Sequence, residues 1–161
     1  MIHVKNNFKL RTWNFKLKTS YMIQRIQTIW LLIASALGFI SLKTSVYSGH
    51  IINDITKTFK SITGTYNILL TVCTTAVAVL SFVIIFLYKN RKQQMKFGIV
   101  SLVLSLLLLL LYFWQSKSFI PAESSYDLTA LIPLFIPIFL FLALRRIYKD
   151  EKLVKDADKL R

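Results

Sequence analysis

Two long uncharged stretches separated by a short basic turn constrain this chain more than any other feature. From Ser61 to Tyr88 there are 28 residues without a charge, and from Phe97 to Ser116 there are 20. At about 1.5 Å of rise per residue either stretch, coiled as a helix, crosses roughly 30 Å of hydrocarbon. The turn between them, Lys89 to Lys96, carries four positive charges in eight residues. Lys and Arg beside a span are held on the cytoplasmic side, so this turn is expected to orient the whole chain.

Two further apolar stretches complete the pattern. The first, 26–42, is bounded by Arg25 and Lys43 and carries Trp30 as an interface anchor and Ala34 with Gly38 as a close-packing pair. The last, 128–144, contains Pro133 and Pro137, four residues apart, which are expected to free carbonyls and kink the helix. Between them lie spans at 66–88 and 97–114. Seventeen of the 21 Lys and Arg residues fall before the first span, in the turn and after Leu144, against four in the two intervening loops. The expected fold class is therefore an all-α integral membrane protein, a four-transmembrane-helix antiparallel bundle with both termini cytoplasmic. A 55% hydrophobic content supports this against a soluble domain. The net charge of +14 then reads as orientation signals and contacts with anionic lipids at the cytoplasmic face, and no nucleic-acid partner is expected.

The connecting segments carry weaker signals. Residues 1–21 form a basic arm without a clear period, expected to lie on the headgroups. In the segment 43–64, Ile51, Ile52, Ile55, Phe59 and Ile62 recur as the stripe of a short amphipathic helix lying on the outer leaflet or capping the bundle. His50 and Asp54 in the same segment make an incomplete metal or acid–base pair. Thr71, Cys73, Thr74, Thr75 and Ser81 concentrate hydroxyl and thiol groups in one span; such groups usually bond a carbonyl one turn back, and the alternative is a polar path. Ser101 and Ser105 mark a close-packing face on the next span. The segment 150–161 is expected to form a charged amphipathic tail helix that docks on the basic turn through opposite charge.

Three motifs carry a resemblance. They are Met22-Ile23-Gln24-Arg25-Ile26-Gln27-Thr28, then Tyr88-Lys89-Asn90-Arg91-Lys92 with Gln94, and finally Lys149-Asp150-Glu151-Lys152-Leu153-Val154 with Asp158-Lys159-Leu160-Arg161. With four spans between them, the chain from Met22 to Arg161 resembles an uncharacterised family of small bacterial inner-membrane proteins, a domain of unknown function of the DUF4293 type. The resemblance implies location, topology and a start of translation at Met22 rather than Met1, and it implies no activity. Gln93 departs from it, since an apolar residue is expected there.

All three motifs fall on the expected cytoplasmic face, and they contain more polarity than charge-based orientation needs. Gln24, Arg25, Gln27, Asn90, Arg91, Lys92, Gln94, Asp150, Glu151 and Asp158 are therefore the candidate interaction surface, either closing the inner end of the bundle or meeting a partner. No span contains His, Asp, Glu, Lys or Arg, so neither proton transfer nor metal binding is expected inside the membrane, and no cofactor is implied. The reading is a non-enzymatic accessory or interaction subunit of an inner-membrane complex, its partner another membrane protein or further copies of the chain. The alternative is a small transporter or channel component.

Overall fold

The computed structural model describes residues 26–51 and 58–159, with the side chains of Lys89 and of 153–159 left aside. The arm 1–21, Gln24 and Arg25, together with Ile52, Asp54 and Ile55, lie outside the described residues. Four helices dominate. Helix α1 is Ile26–Ser41, α2 is Ile68–Phe86, α3 is Arg91–Ser116 and α4 is Leu131–Lys159. Short 3-10 turns precede α3 at Leu87–Lys89 and α4 at Leu128–Ala130. Three of the helices are long and apolar enough to cross a membrane, while the described part of α1 is shorter. Ile29, Leu32, Val72, Phe82, Val103, Leu110 and Phe141 are among many large apolar side chains left exposed around the helices. Water would make such a surface an aggregation site, whereas lipid tails are a suitable solvent for it. The chain has the character of a membrane protein.

The helices pack through their small and polar residues. Along α3 the buried stripe is Gln94, Gly98, Ser101, Ser105, Leu108, Tyr112 and Ser116, spaced by three or four residues, while most of the Leu side chains point outward. Lipid gives no reason to bury Leu, so the interior goes to residues that let backbones approach. Ser81 and Ser101 meet with their hydroxyls 3.3 Å apart between α2 and α3. On α1, Ala34 is fully buried and Gly38 lies against Ala78 of α2, so the small pair is the contact face. Ser35 Oγ donates to the Ala78 carbonyl at 3.1 Å beside it. The core in this half joins Leu31 and Ala34 of α1 with Val77 and Ile84 of α2 and Ile136, Leu140 and Ala143 of α4. Three hydroxyls of α2 bond the carbonyl one turn back, Thr71 on Asn67, Thr74 on Leu70 and Ser81 on Val77.

The chain is mostly helical, as expected, but its connecting loops add a small sheet. Strand β1 (Ser45–His50) pairs antiparallel with β2 (Phe59–Thr63) and with β3 (Ser125–Tyr126), giving a three-stranded sheet in the order β2-β1-β3. The predicted amphipathic helix over 43–64 is therefore absent in its described parts. Its stripe is split, since Ile62 is 1% exposed and Phe59 67%. Three residues apart puts two side chains on one face of a helix but on opposite faces of a strand. Ser45-Val46-Tyr47 has the β-branched and aromatic content of a strand, and its second partner comes from a loop some 80 residues away. Gly49 is required there, because a Cβ would stand 2.1 Å from Ser124 Cβ. Val46, Tyr47, Ile62 and Phe119 from this layer join Leu70, Cys73, Leu108 and Tyr112 of the helices in a second core.

Two further differences concern helix ends. Helix α3 starts at Arg91, so six of the eight residues of the basic turn are helical rather than a loop. Helix α4 starts at Leu131, which places Pro133 in its first turn, where an N–H has no helical acceptor to lose. Pro137 is inside the helix and leaves the Pro133 carbonyl without its usual donor, so any bend rests on that one proline.

Candidate functional site

The three polar motifs meet at one end of the helices. Gln27 opens α1, Asn90 and Arg91 open α3, and Asp150 lies where α4 runs past them. Asn90 sits at the N-cap of α3 without a side-chain capping bond, exposed beside Lys92. Gln27, Gln94 and Asp150 are each buried, at 6%, 5% and 7% exposure. The Gln27 amide donates to the Asp150 carboxylate. Arg91 Nη1 donates to the Asp150 backbone carbonyl at 3.3 Å. Gln94 Nε2 donates to the Ile84 carbonyl at 3.3 Å, which also accepts the Leu87 N–H at the end of α2. Each bond ties an element to one that is distant in the chain or satisfies a carbonyl that a helix end leaves open. The arrangement closes this end of the helix group.

Asp150 is the centre of the closure. A buried carboxylate needs opposite charge and donors, and it has the Gln27 amide with Arg91 and Arg146 close enough to act on it electrostatically. The basic turn and α4 are thus joined at Asp150, by a hydrogen bond from Arg91 to its backbone carbonyl. Of the ten sequence candidates, Gln27, Gln94 and Asp150 face inward, Arg91 and Glu151 are half-buried, and Asn90 and Lys92 are exposed. Gln24 and Arg25 lie outside the described residues, as does the side chain of Asp158.

Sequence reasoning missed a second grouping beside this closure. A cavity of about 280 Å³ lies between α1 and α4, lined by Trp30, Leu142, Arg145, Arg146 and Lys149. The four α4 residues follow i, i+3, i+4, i+7 spacing, one face of the helix, and that spacing was the available signal. Trp30 stacks on Phe139 with ring centroids 5.5 Å apart, which fixes the indole at the wall.

The opposite end holds the sheet. There Ser48 Oγ donates to Asp127 Oδ1 at 2.7 Å, Tyr47 Oη donates to Ser124 Oγ at 3.2 Å, and Thr129 donates to the Ser45 carbonyl. These pairs fasten the two connecting loops to each other. His50 lies here, its ring edge-on to Phe59 and its Nδ1 buried without a partner, while Asp54 lies outside the described residues. Among the described residues no three His, Cys, Asp or Glu side chains gather as metal ligands would.

The arrangement at the basic end can hold elements in register and present positive charge. No curated protein matches the chain, and no solved structure does. A family profile does match, over residues 23–160, which takes in all four helices and all of the three polar motifs except Met22 and Arg161. The chain belongs to the family described as a domain of unknown function, DUF4293.

Proposed function

We propose that the chain is a four-span membrane protein whose helices α1 to α4 run alternately up and down, with both ends on the cytoplasmic side of a bacterial inner membrane. In this reading it acts without catalysis, as an accessory subunit that offers its basic end to another membrane protein. The positive charge gathered at that end supports the orientation, and the family resemblance supports the bacterial setting.

The observation that carries the interaction role is the length of α4. Its 29 residues extend about 43 Å, well beyond the roughly 30 Å of a hydrocarbon core. Asp150 is where the helix is tied to α1 and α3, and nine residues of helix continue past it to Lys159. An isolated segment of that length is not stable as a helix in water, so it gains from a surface to lie on. A partner is the surface proposed.

The test is purification of the intact chain in mild detergent, beside a version lacking residues 153–161 that keeps Asp150. A stoichiometric membrane protein that accompanies the full chain and is lost from the shortened one supports the reading. Isolation of the full chain as a lone oligomer that conducts ions in liposomes overturns it in favour of a channel.

A further inference from the structure

We propose that the cavity between α1 and α4 is a binding site for the headgroup phosphate of an anionic phospholipid. This rests on the membrane reading above but not on its orientation, since a headgroup layer exists on both sides of a bilayer.

The lining of this cavity contains three cations and no carboxylate. Asp150 acts on Arg146 electrostatically, but its carboxylate is already held by Gln27 in the closure. Arg145 and Lys149 are one turn apart and Arg146 is beside them, so all three can reach one point between the helices. Arg145, Arg146 and Lys149 are exposed, so the charges are available rather than spent inside the protein.

The position selects a lipid over a free anion. The uncharged part of α4 ends at Leu144, so the cations begin where the hydrocarbon would end. Leu142 lies one turn deeper on the same face, at the level of an acyl chain. Trp30 forms the facing wall, and a Trp ring favours the boundary between chains and headgroups. Its stacking on Phe139 keeps the wall standing without a ligand. An apolar floor, an amphipathic wall and a cationic rim together match a phospholipid, whereas inorganic phosphate uses the rim alone. Basic pockets between membrane helices hold anionic headgroups by the same chemistry.

The test uses the full chain with Trp13→Phe and Trp114→Phe, which leaves Trp30 as its only tryptophan. It is placed in nanodiscs of phosphatidylcholine containing a small fraction of lipid brominated on its acyl chains, either phosphatidylglycerol or phosphatidylcholine. Selective occupancy predicts stronger quenching of Trp30 by the brominated phosphatidylglycerol. The preference should weaken about fivefold for each of Arg145→Gln and Lys149→Gln. Lys96→Gln, exposed on α3 and outside the cavity, should leave it unchanged. Equal quenching by the two brominated lipids, or a preference that survives both substitutions, overturns the proposal. Loss of the preference on adding millimolar inorganic phosphate at constant ionic strength shows a free-anion site instead and also overturns it. Failure of the chain to enter nanodiscs would refute the membrane reading itself, which separates the two.

Discussion

Gly38→Ala tests the packing between α1 and α2 with a single methyl group. A Cβ at this position would stand 2.9 Å from Ala78 Cβ and 3.1 Å from Ala78 Cα, against about 3.5 to 4.0 Å for a relaxed carbon contact. Half of the obstacle is backbone, so α1 must retreat by about 0.5 to 1 Å. Ser35 Oγ, now 3.1 Å from the Ala78 carbonyl, is carried out of hydrogen-bond range by that retreat. Overpacking costs about 1 to 3 kcal/mol and a hydrogen bond between membrane helices about 0.6, while Ala gains back about 1 in helix propensity. The net loss is therefore about 0.6 to 2.6 kcal/mol, or roughly 1 to 10 °C in melting temperature for a chain of this size. Cys73 is the only cysteine and is buried, so a thiol-reactive dye follows unfolding in detergent without any added label. Ala78→Gly in the same chain removes the closest contact and should recover part of the loss. Ala36→Leu adds bulk on the exposed side of α1 and should leave the melt unchanged. A Gly38→Ala protein that melts at or above the parent temperature, or one indifferent to Ala78→Gly, refutes the packing argument.

Other perturbations follow from the two ends of the helix group. Gln27→Leu removes the amide that meets the buried Asp150 carboxylate and should cost about 1 to 3 kcal/mol, read in the same dye assay, with Asp150→Asn costing less because an amide can still pair with Gln27. Gly49→Ala drives a methyl into Ser124 Cβ at 2.1 Å and Cα at 2.7 Å, so the sheet and the 121–124 loop must separate; we expect a loss of about 3 kcal/mol that Ser124→Gly does not repair, since the Glu123 carbonyl is also within 3.0 Å. Topology is checked in a Cys73→Ser background with single cysteines at Asn90 and at Glu123, both exposed. In intact spheroplasts the second should react with an impermeant thiol reagent and the first should not, and the opposite pattern inverts the orientation.

The helices were legible because their cause is local. An uncharged stretch such as Ile68–Phe86 has to satisfy its own backbone in lipid, and a helix does that without help from the rest of the chain. The close-packing role of Ala34, Gly38, Ser101 and Ser105 was legible for the same reason, since small residues on one face have the same consequence beside any helix. The bond between the basic turn and the start of the tail runs from Arg91 to the backbone carbonyl of Asp150, an acceptor that charge sign along the chain does not single out. The sheet was not legible. Phe59 and Ile62 fit a helical stripe when read along the chain, and only pairing of β1 with a strand from the loop after α3 makes the extended form worth more. The roles of the polar residues were decided in the same way. Gln27, Asn90 and Gln94 look alike in sequence, yet Gln27 and Gln94 are buried against Asp150 and the Ile84 carbonyl while Asn90 stands in the open. Local hydrophobicity determines which stretches become helices, but whether a polar side chain is inside or outside depends on what distant element arrives beside it, and that is a property of the packed chain alone.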